Sequence, residues 1–173
     1  LRAVDAAVVV LCAASGVEVE TEKVWKYAAE QNLPRITFVN KMDRENADFD
    51  ATVEAMKTVF GGNIIPLQLP IGSQDSFAGV VDIVGLKAFT YKGGKGTETD
   101  IPADMKDAVE LARMSMIEAA AEADDDVLAK YLEGEELSDE EILAGLVKGI
   151  AEGRICPAFC GSAAKNIGIA DFM

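Results

Sequence analysis

Two uninterrupted apolar runs, each leading into a segment of helical periodicity, constrain this chain more than any other feature. Ala6-Ala7-Val8-Val9-Val10-Leu11-Cys12 is rich in β-branched residues and shows no polar alternation. A strand with water on one face alternates apolar and polar side chains, so an unbroken run predicts a strand covered on both faces, as in a parallel sheet. The spacing of Val24 and Ala28 predicts a helix over 21–31, and Pro34 marks the connection after it. Ile36-Thr37-Phe38-Val39 is the second buried run. A helix is predicted over 48–60, with Val53, Met56 and Phe60 on one face and Gly61-Gly62 to stop it. Strand, helix, strand, helix predicts an α/β domain with a parallel sheet.

The texture then changes. Residues 64–71 hold two prolines, which suits an edge or irregular strand. Residues 77–84 and 86–92 read as two strands joined at Gly85, and Gly93-Gly94-Lys95-Gly96 as a loop. Pro102 is expected to open a helix whose Met105, Val109, Ala112, Met116 and Ala120 form a core stripe, and 124–132 a further helix. Ser138-Asp139-Glu140-Glu141 is a capping box, in which serine and glutamate satisfy each other's backbone N–H groups. It starts an amphipathic helix carrying Ile142, Leu146 and Ile150 with Leu143 and Val147, which Gly153 ends. Residues 155–160 return to a short apolar strand with Pro157 near its start, and 161–166 form the loop after it. The first and last segments thus share a parallel-sheet texture that the middle lacks. An insertion explains this: one domain over 1–62 and 154–173, interrupted by a subdomain over 63–153.

In open α/β sheets ligands bind beyond the carboxyl ends of the strands, and two polar loops fall at such ends. The first is Asn40-Lys41-Met42-Asp43; the second contains Ser162-Ala163. Guanine presents N1–H and the N2 amino group side by side, which one carboxylate, Asp43, can accept together. Its O6 suits a backbone N–H from a tight loop of small residues, Ala163. The apolar stem of Lys41 can cover a face of the ring. Asn40 can reach N7 and tie the two loops together. Adenine would set a lone pair against Asp43, and sites built on such hydrogen bonds reject the wrong ligand by about 10⁴-fold or more. Alone, the tetrapeptide also fits a strand-end turn with a helix-capping aspartate. The second loop, after its own apolar strand, favours the guanine reading.

Other classes are excluded or absent. A net charge of −14 disfavours binding to duplex DNA or an RNA backbone. No apolar run reaches the roughly 20 residues that cross a bilayer, so no membrane is expected and a cytoplasmic location is. The three cysteines, with no histidine to join them, read as buried reduced thiols rather than a zinc site. No Gly-x-x-x-x-Gly-Lys-Ser/Thr phosphate loop occurs, and no histidine can position water. Leu1 in place of an initiator Met, and a helix begun at 169–173, suggest a piece of a longer protein. The phosphate-holding residues, and with them Mg²⁺, are expected upstream. No catalytic residue and no metal ligand is assigned, and the piece alone is expected not to hydrolyse GTP.

Several stretches carry a family resemblance. They are Cys12 to Gly16, Val24-Trp25, Pro34-Arg35-Ile36-Thr37-Phe38-Val39-Asn40-Lys41-Met42-Asp43-Arg44, Pro66-Leu67-Gln68-Leu69-Pro70-Ile71-Gly72 and Gly79-Val80-Val81-Asp82. Asp100-Ile101-Pro102-Ala103-Asp104-Met105, Gly134-Glu135-Glu136-Leu137 and Cys160-Gly161-Ser162-Ala163 with Lys165-Asn166 complete them. Together they closely resemble bacterial elongation factor G. The resemblance implies the C-terminal part of that family's P-loop-type GTPase domain, three parallel strands with helices, interrupted by an inserted α+β subdomain called G′. It implies GTP or GDP as ligand, with Asn40, Lys41 and Asp43 as the guanine-reading motif and Ser162-Ala163 as the second base loop. The family often has a bulkier residue where Ala164 stands. It also implies tRNA–mRNA translocation on the ribosome, and a contact between G′ and the C-terminal domain of the ribosomal stalk protein. The acidic helices of 102–150 are the candidate surface. A GTPase release or ribosome-protection factor shares the base loops, but the Asp-Ile-Pro-Ala-Asp-Met and Gly-Val-Val-Asp runs favour elongation factor G. A different class of reading makes the isolated piece a non-catalytic protein-interaction module.

Overall fold

A computed structural model of the chain describes residues 3–61 and 64–173. Among these, β1 (Ala7–Cys12), α1 (Val19–Glu30), β2 (Arg35–Asn40) and α2 (Phe49–Phe60) follow the alternation that the apolar runs predict. The Asp48 carboxylate caps α2 by accepting from the Ala51 N–H at 2.9 Å, and Gly61, at φ 71°, ends it. Trp25 of α1 stacks on Phe60 of α2 with ring centroids 4.1 Å apart.

The parallel sheet has four strands, in the order β1-β2-β8-β3, where three were expected. The fourth is β3 (Ile64–Pro66), an edge strand short enough to end in proline. Strand β8 (Cys156–Cys160) lies between β2 and β3, with Thr37 opposite Ala158 on one side and Ile65 opposite Pro157 on the other. Pro157 has no N–H to give to the ladder, and its carbonyl accepts the buried Thr37 hydroxyl at 3.0 Å. The expectation that β1 is covered on both faces fails among the described residues. Val8 and Val10 remain 50% and 59% exposed on one face of β1, while Val9 and Leu11 are buried on the other.

The stretch 64–71 is two strands rather than one irregular strand, and Leu67 is the crossing point. Its N–H donates to Ala158 of the parallel sheet, and its carbonyl accepts from Ile83 beside the second sheet, both at 3.0 Å. That second sheet is antiparallel: β4 (Gln68–Ile71), β5 (Gly79–Asp82), β6 (Lys87–Lys92) and β7 (Lys95–Thr99), paired in that order. The predicted loop at 93–96 therefore shrinks to the two-residue turn Gly93-Gly94. Both glycines have positive φ (60° and 77°), as the tightest right-twisted hairpins require.

Pro102 begins a short 3₁₀ turn (Ala103–Met105) rather than the helix itself, and α3 (Lys106–Ala121) follows. Next come α4 (Asp125–Glu133) and α5 (Asp139–Ala151), the latter opened by the capping box with Ser138 N–H to Glu141 Oε2 at 3.0 Å. Helices α3 and α5 cross closely at Gly145, where a Cβ would lie 2.4 Å from the Ala120 carbonyl oxygen. Ile142 and Leu146 are buried there, while Leu143 and Val147 face solvent. The chain closes on a one-turn helix, α6 (Ile169–Phe172). A single apolar cluster runs through both sheets and the helices, from Val9 and Val39 to Val80, Met116 and Leu146. No helix among the described residues is long and apolar enough to cross a membrane. The fold is a parallel α/β sheet joined to an inserted antiparallel sheet.

Candidate functional site

Strands β2 and β8 are parallel neighbours, so their carboxyl ends leave the sheet side by side. The two loops that follow are laced together by backbone bonds. Gly161 N–H donates to Val39 at 3.0 Å, and Met42 N–H returns to the Gly161 carbonyl at 3.2 Å. Met42 is fully buried and anchors the first loop to the core. On either side of it, Lys41 and Asp43 are turned outward, Lys41 exposed and Asp43 partly so. Lys41 adopts φ 63°, a left-handed conformation that a non-glycine residue enters only when its surroundings enforce it.

Asn40 supplies that enforcement. Its side-chain Oδ1 accepts from its neighbour's N–H, Lys41, at 2.8 Å and from Ala163 N–H at 3.0 Å. Two backbone donors converging on one atom identify it as the oxygen and leave Nδ2 as the outward donor. Asn40 therefore ties the loops together, as its place in the sequence predicts. The same contact alters the expectation for Ala163, whose N–H is engaged by Asn40.

The second loop is closed at its base by reciprocal bonds between Ser162 and Ile167, each 3.0 Å. Ser162 is completely buried, and its hydroxyl accepts from Lys165 N–H at 3.2 Å. The five residues singled out in the sequence, Asn40, Lys41, Asp43, Ser162 and Ala163, thus lie on two touching loops. One further residue joins them. The Lys165 ammonium stands 3.9 Å from Asp43 Oδ2, a long contact that sets a cation beside the carboxylate. A basic residue three places after Ser162 was the available signal. The distance to Asp43 depends on strand order and is not written in the local sequence.

The thiols lie apart from this chemistry. Burial pushes Cys156 up to about 12, and Cys160 also rises through burial, so both stay protonated. At Cys12 partial burial opposes ionisation, but hydrogen bonds from Ala14 and Ser15, with Lys41 nearby, hold the thiol below its ordinary value. Among the described residues no cluster of His, Cys, Asp and Glu could hold a metal ion. An Asp-x-x-Gly sequence, Asp82-Ile83-Val84-Gly85, is a turn. The Asp82 carboxylate accepts from Val84 and Gly85 N–H at 3.0 and 3.1 Å, serving the bend between β5 and β6.

Comparison with known proteins gives two results. The family model described as the elongation factor Tu GTP binding domain matches residues 1–173. A crystal structure from Thermus thermophilus, of the protein designated ttk003000868, superposes with a TM-score of 0.92 at 32% sequence identity. That match covers 99% of this chain and 26% of the other, so the chain spans about a quarter of the protein it resembles.

Proposed function

Because the chain belongs to the elongation factor Tu GTP binding domain family of translational GTPases, we propose that its two adjoining loops are the guanine-recognition site of a ribosomal translocation factor of the elongation factor G type. The observation that carries this reading is the bridge from Asn40 Oδ1 to the N–H groups of Lys41 and Ala163, at 2.8 and 3.0 Å. It holds both loops in register before any base arrives. Asn40 Nδ2 is then left for N7, and the Asp43 carboxylate for N1–H and the N2 amino group. The Lys41 stem lies along the ring. Ala163 N–H, already on Asn40, offers O6 one limb of a three-centre hydrogen bond.

Asp43 must exchange its partner on binding. Lys165 stands beside it in the free chain, and the base's paired donors replace or share that contact. The remaining parts of the proposal follow from the family. GTP and GDP are the ligands, and residues outside these 173 hold the phosphates and Mg²⁺. The antiparallel sheet and helices α3–α5 form an inserted subdomain, with the division at 1–62, 63–153 and 154–173 drawn inward to Leu67 at its first border. The ribosome, including the stalk protein's C-terminal domain, is the partner of the acidic helices, and the site of action is the cytoplasm.

The decisive experiment is titration of the full-length protein and its Asp43→Asn variant with fluorescent GDP, ADP and xanthosine diphosphate. Xanthine carries an acceptor where guanine carries the N2 amino group, so an asparagine amide fits it. Asp43→Asn is expected to weaken GDP on the order of 100-fold and to gain xanthosine diphosphate, because buried donors and acceptors would be mismatched. Equal binding of ADP and GDP, or unchanged GDP affinity in the variant, refutes the proposal.

A further inference from the structure

The antiparallel sheet turns one of its ends toward both base loops. Its strands alternate in direction in the order β4-β5-β6-β7, so the β4–β5 connection and the β6–β7 turn fall at the same end. From the β4–β5 connection, Gln74 N–H donates to the Met42 carbonyl at 2.8 Å, inside the first base loop. From the second base loop, Asn166 Nδ2 donates to the Gly94 carbonyl at 3.0 Å. The approach is close: a Cβ on Gly94 would sit 3.3 Å from Asn166 Cβ. Tyr91, on β6, hydrogen-bonds the Asp171 carboxylate in α6, which follows the second loop. Burial and that carboxylate hold the phenol above its ordinary range.

Asn166 also acts on the base loop directly. Its backbone N–H meets the Ala163 carbonyl at 3.3 Å, while the Ala163 N–H is held by Asn40. Ala163 is therefore held at both its N–H and its carbonyl, and one of the two clamps is itself hung on the hairpin. A cleft of about 440 Å³, lined by Asp75, Phe77, Tyr91, Gly94 and Lys165, adjoins the contact.

We infer that Asn166 is a positioning residue that holds the second base loop against the β6–β7 hairpin, so that displacing the hairpin speeds release of the guanine nucleotide. This rests on the guanine-site reading above. A partner that moves the hairpin would thereby control nucleotide exchange from outside the base pocket.

The test is a chase experiment on the full-length protein, measuring release of fluorescent GDP and inosine diphosphate. Asn166→Gly removes the Nδ2 donor while leaving φ 53° accessible. Losing one such hydrogen bond is expected to speed release about fivefold. The factor should be the same for both nucleotides, since inosine keeps O6 and lacks only the N2 group assigned to Asp43. Tyr91→Phe, which removes the second tie, is expected to act in the same direction by about twofold. Association rates and the melting temperature should stay near those of the unaltered protein. Unchanged release from both folded variants would overturn the inference. So would faster release of GDP but not inosine diphosphate, which would locate the effect at Asp43. If Asn166→Gly fails to fold, unchanged release from Tyr91→Phe overturns it. Failure of the unaltered protein to bind GDP would instead refute the guanine site itself, and this inference with it.

Discussion

In the parallel sheet burial increases inward, whereas in the antiparallel sheet it falls away from β5 through β6 to β7. Val39, Ala158 and Cys160 on the central strands β2 and β8 are fully covered, and edge strand β1 leaves Val8 and Val10 half exposed. Across the other sheet, Val80 and Val81 of β5 are fully buried, β6 is mixed, and β7 is exposed at every position. The outer edge of the antiparallel sheet is thus held by backbone pairing, a glycine turn and one exposed Lys87–Glu98 ion pair, with almost no apolar contribution. The comparison teaches that a strand can be specified mainly by its neighbour's backbone hydrogen bonds when it carries no apolar side chain.

The largest effect should come from testing whether the two sheets share one core. Ile64 of β3 and Ile83 beside β5 are 1% and 0% exposed, one at each sheet. Truncating either to alanine is expected to cost about 3 kcal/mol in chemical denaturation, from lost transfer energy and the cavity left behind. Both variants should unfold in a single transition. Two transitions, with only one moved by Ile83→Ala, would break the shared-core comparison.

A smaller effect is expected at the capping box, which the sequence shows plainly. Ser138→Ala should cost about 1 kcal/mol at neutral pH through loss of the α5 cap. The Lys130 ammonium, and then the Ser138 N–H and hydroxyl, depress the Glu141 carboxyl to about 2 from an ordinary 4.5. A carboxyl depressed in the folded state stabilises fully above pH 4.5, and that contribution is lost as the pH falls toward 2. The Lys130 ammonium and the Ser138 N–H remain in Ser138→Ala and only the hydroxyl's share is lost, so the difference between that variant and the unaltered chain should narrow only slightly over that range in acid denaturation. The smallest effect belongs to β7. Thr97→Ala should change stability by no more than about 0.5 kcal/mol, and a larger loss would mean that side chains hold this edge after all.

These cases also show what a sequence can disclose. The runs ending at Cys12 and Asn40 read as strands because apolar β-branched residues dominate them, and Ser138-Asp139-Glu140-Glu141 reads as a cap because its chemistry is local. Strand β7 escapes such a reading because Lys95-Gly96-Thr97-Glu98-Thr99 contains no apolar residue, so its pairing with β6 leaves no pattern. Strand β3 is legible as an edge strand, but its place in the parallel sheet, apart from β4, is not, because the break at Leu67 leaves no local pattern. Asn40, Lys41, Asp43, Ser162 and Ala163 could be named from their places after apolar runs. Lys165 beside Asp43, and the engagement of the Ala163 N–H by Asn40, depend on which strand ends adjoin, which only the assembled sheet decides.

The position of β8 between β2 and β3 has a consequence in time. Its two neighbours are made early, while β8 follows the whole antiparallel sheet and helices α3–α5 along the chain. Pairings of such long sequence separation carry a loop-closure cost and form slowly unless the intervening chain has already folded and shortened the gap. The inserted sheet is therefore expected to fold first, and β8 to slide into its slot last. During synthesis, a chain that has emerged only through α5 would carry Asn40 to Asp43 with no second loop beside them. On the reading proposed above, the base pocket forms only once β8 has docked beside β2, and a nascent chain cannot recognise guanine before that.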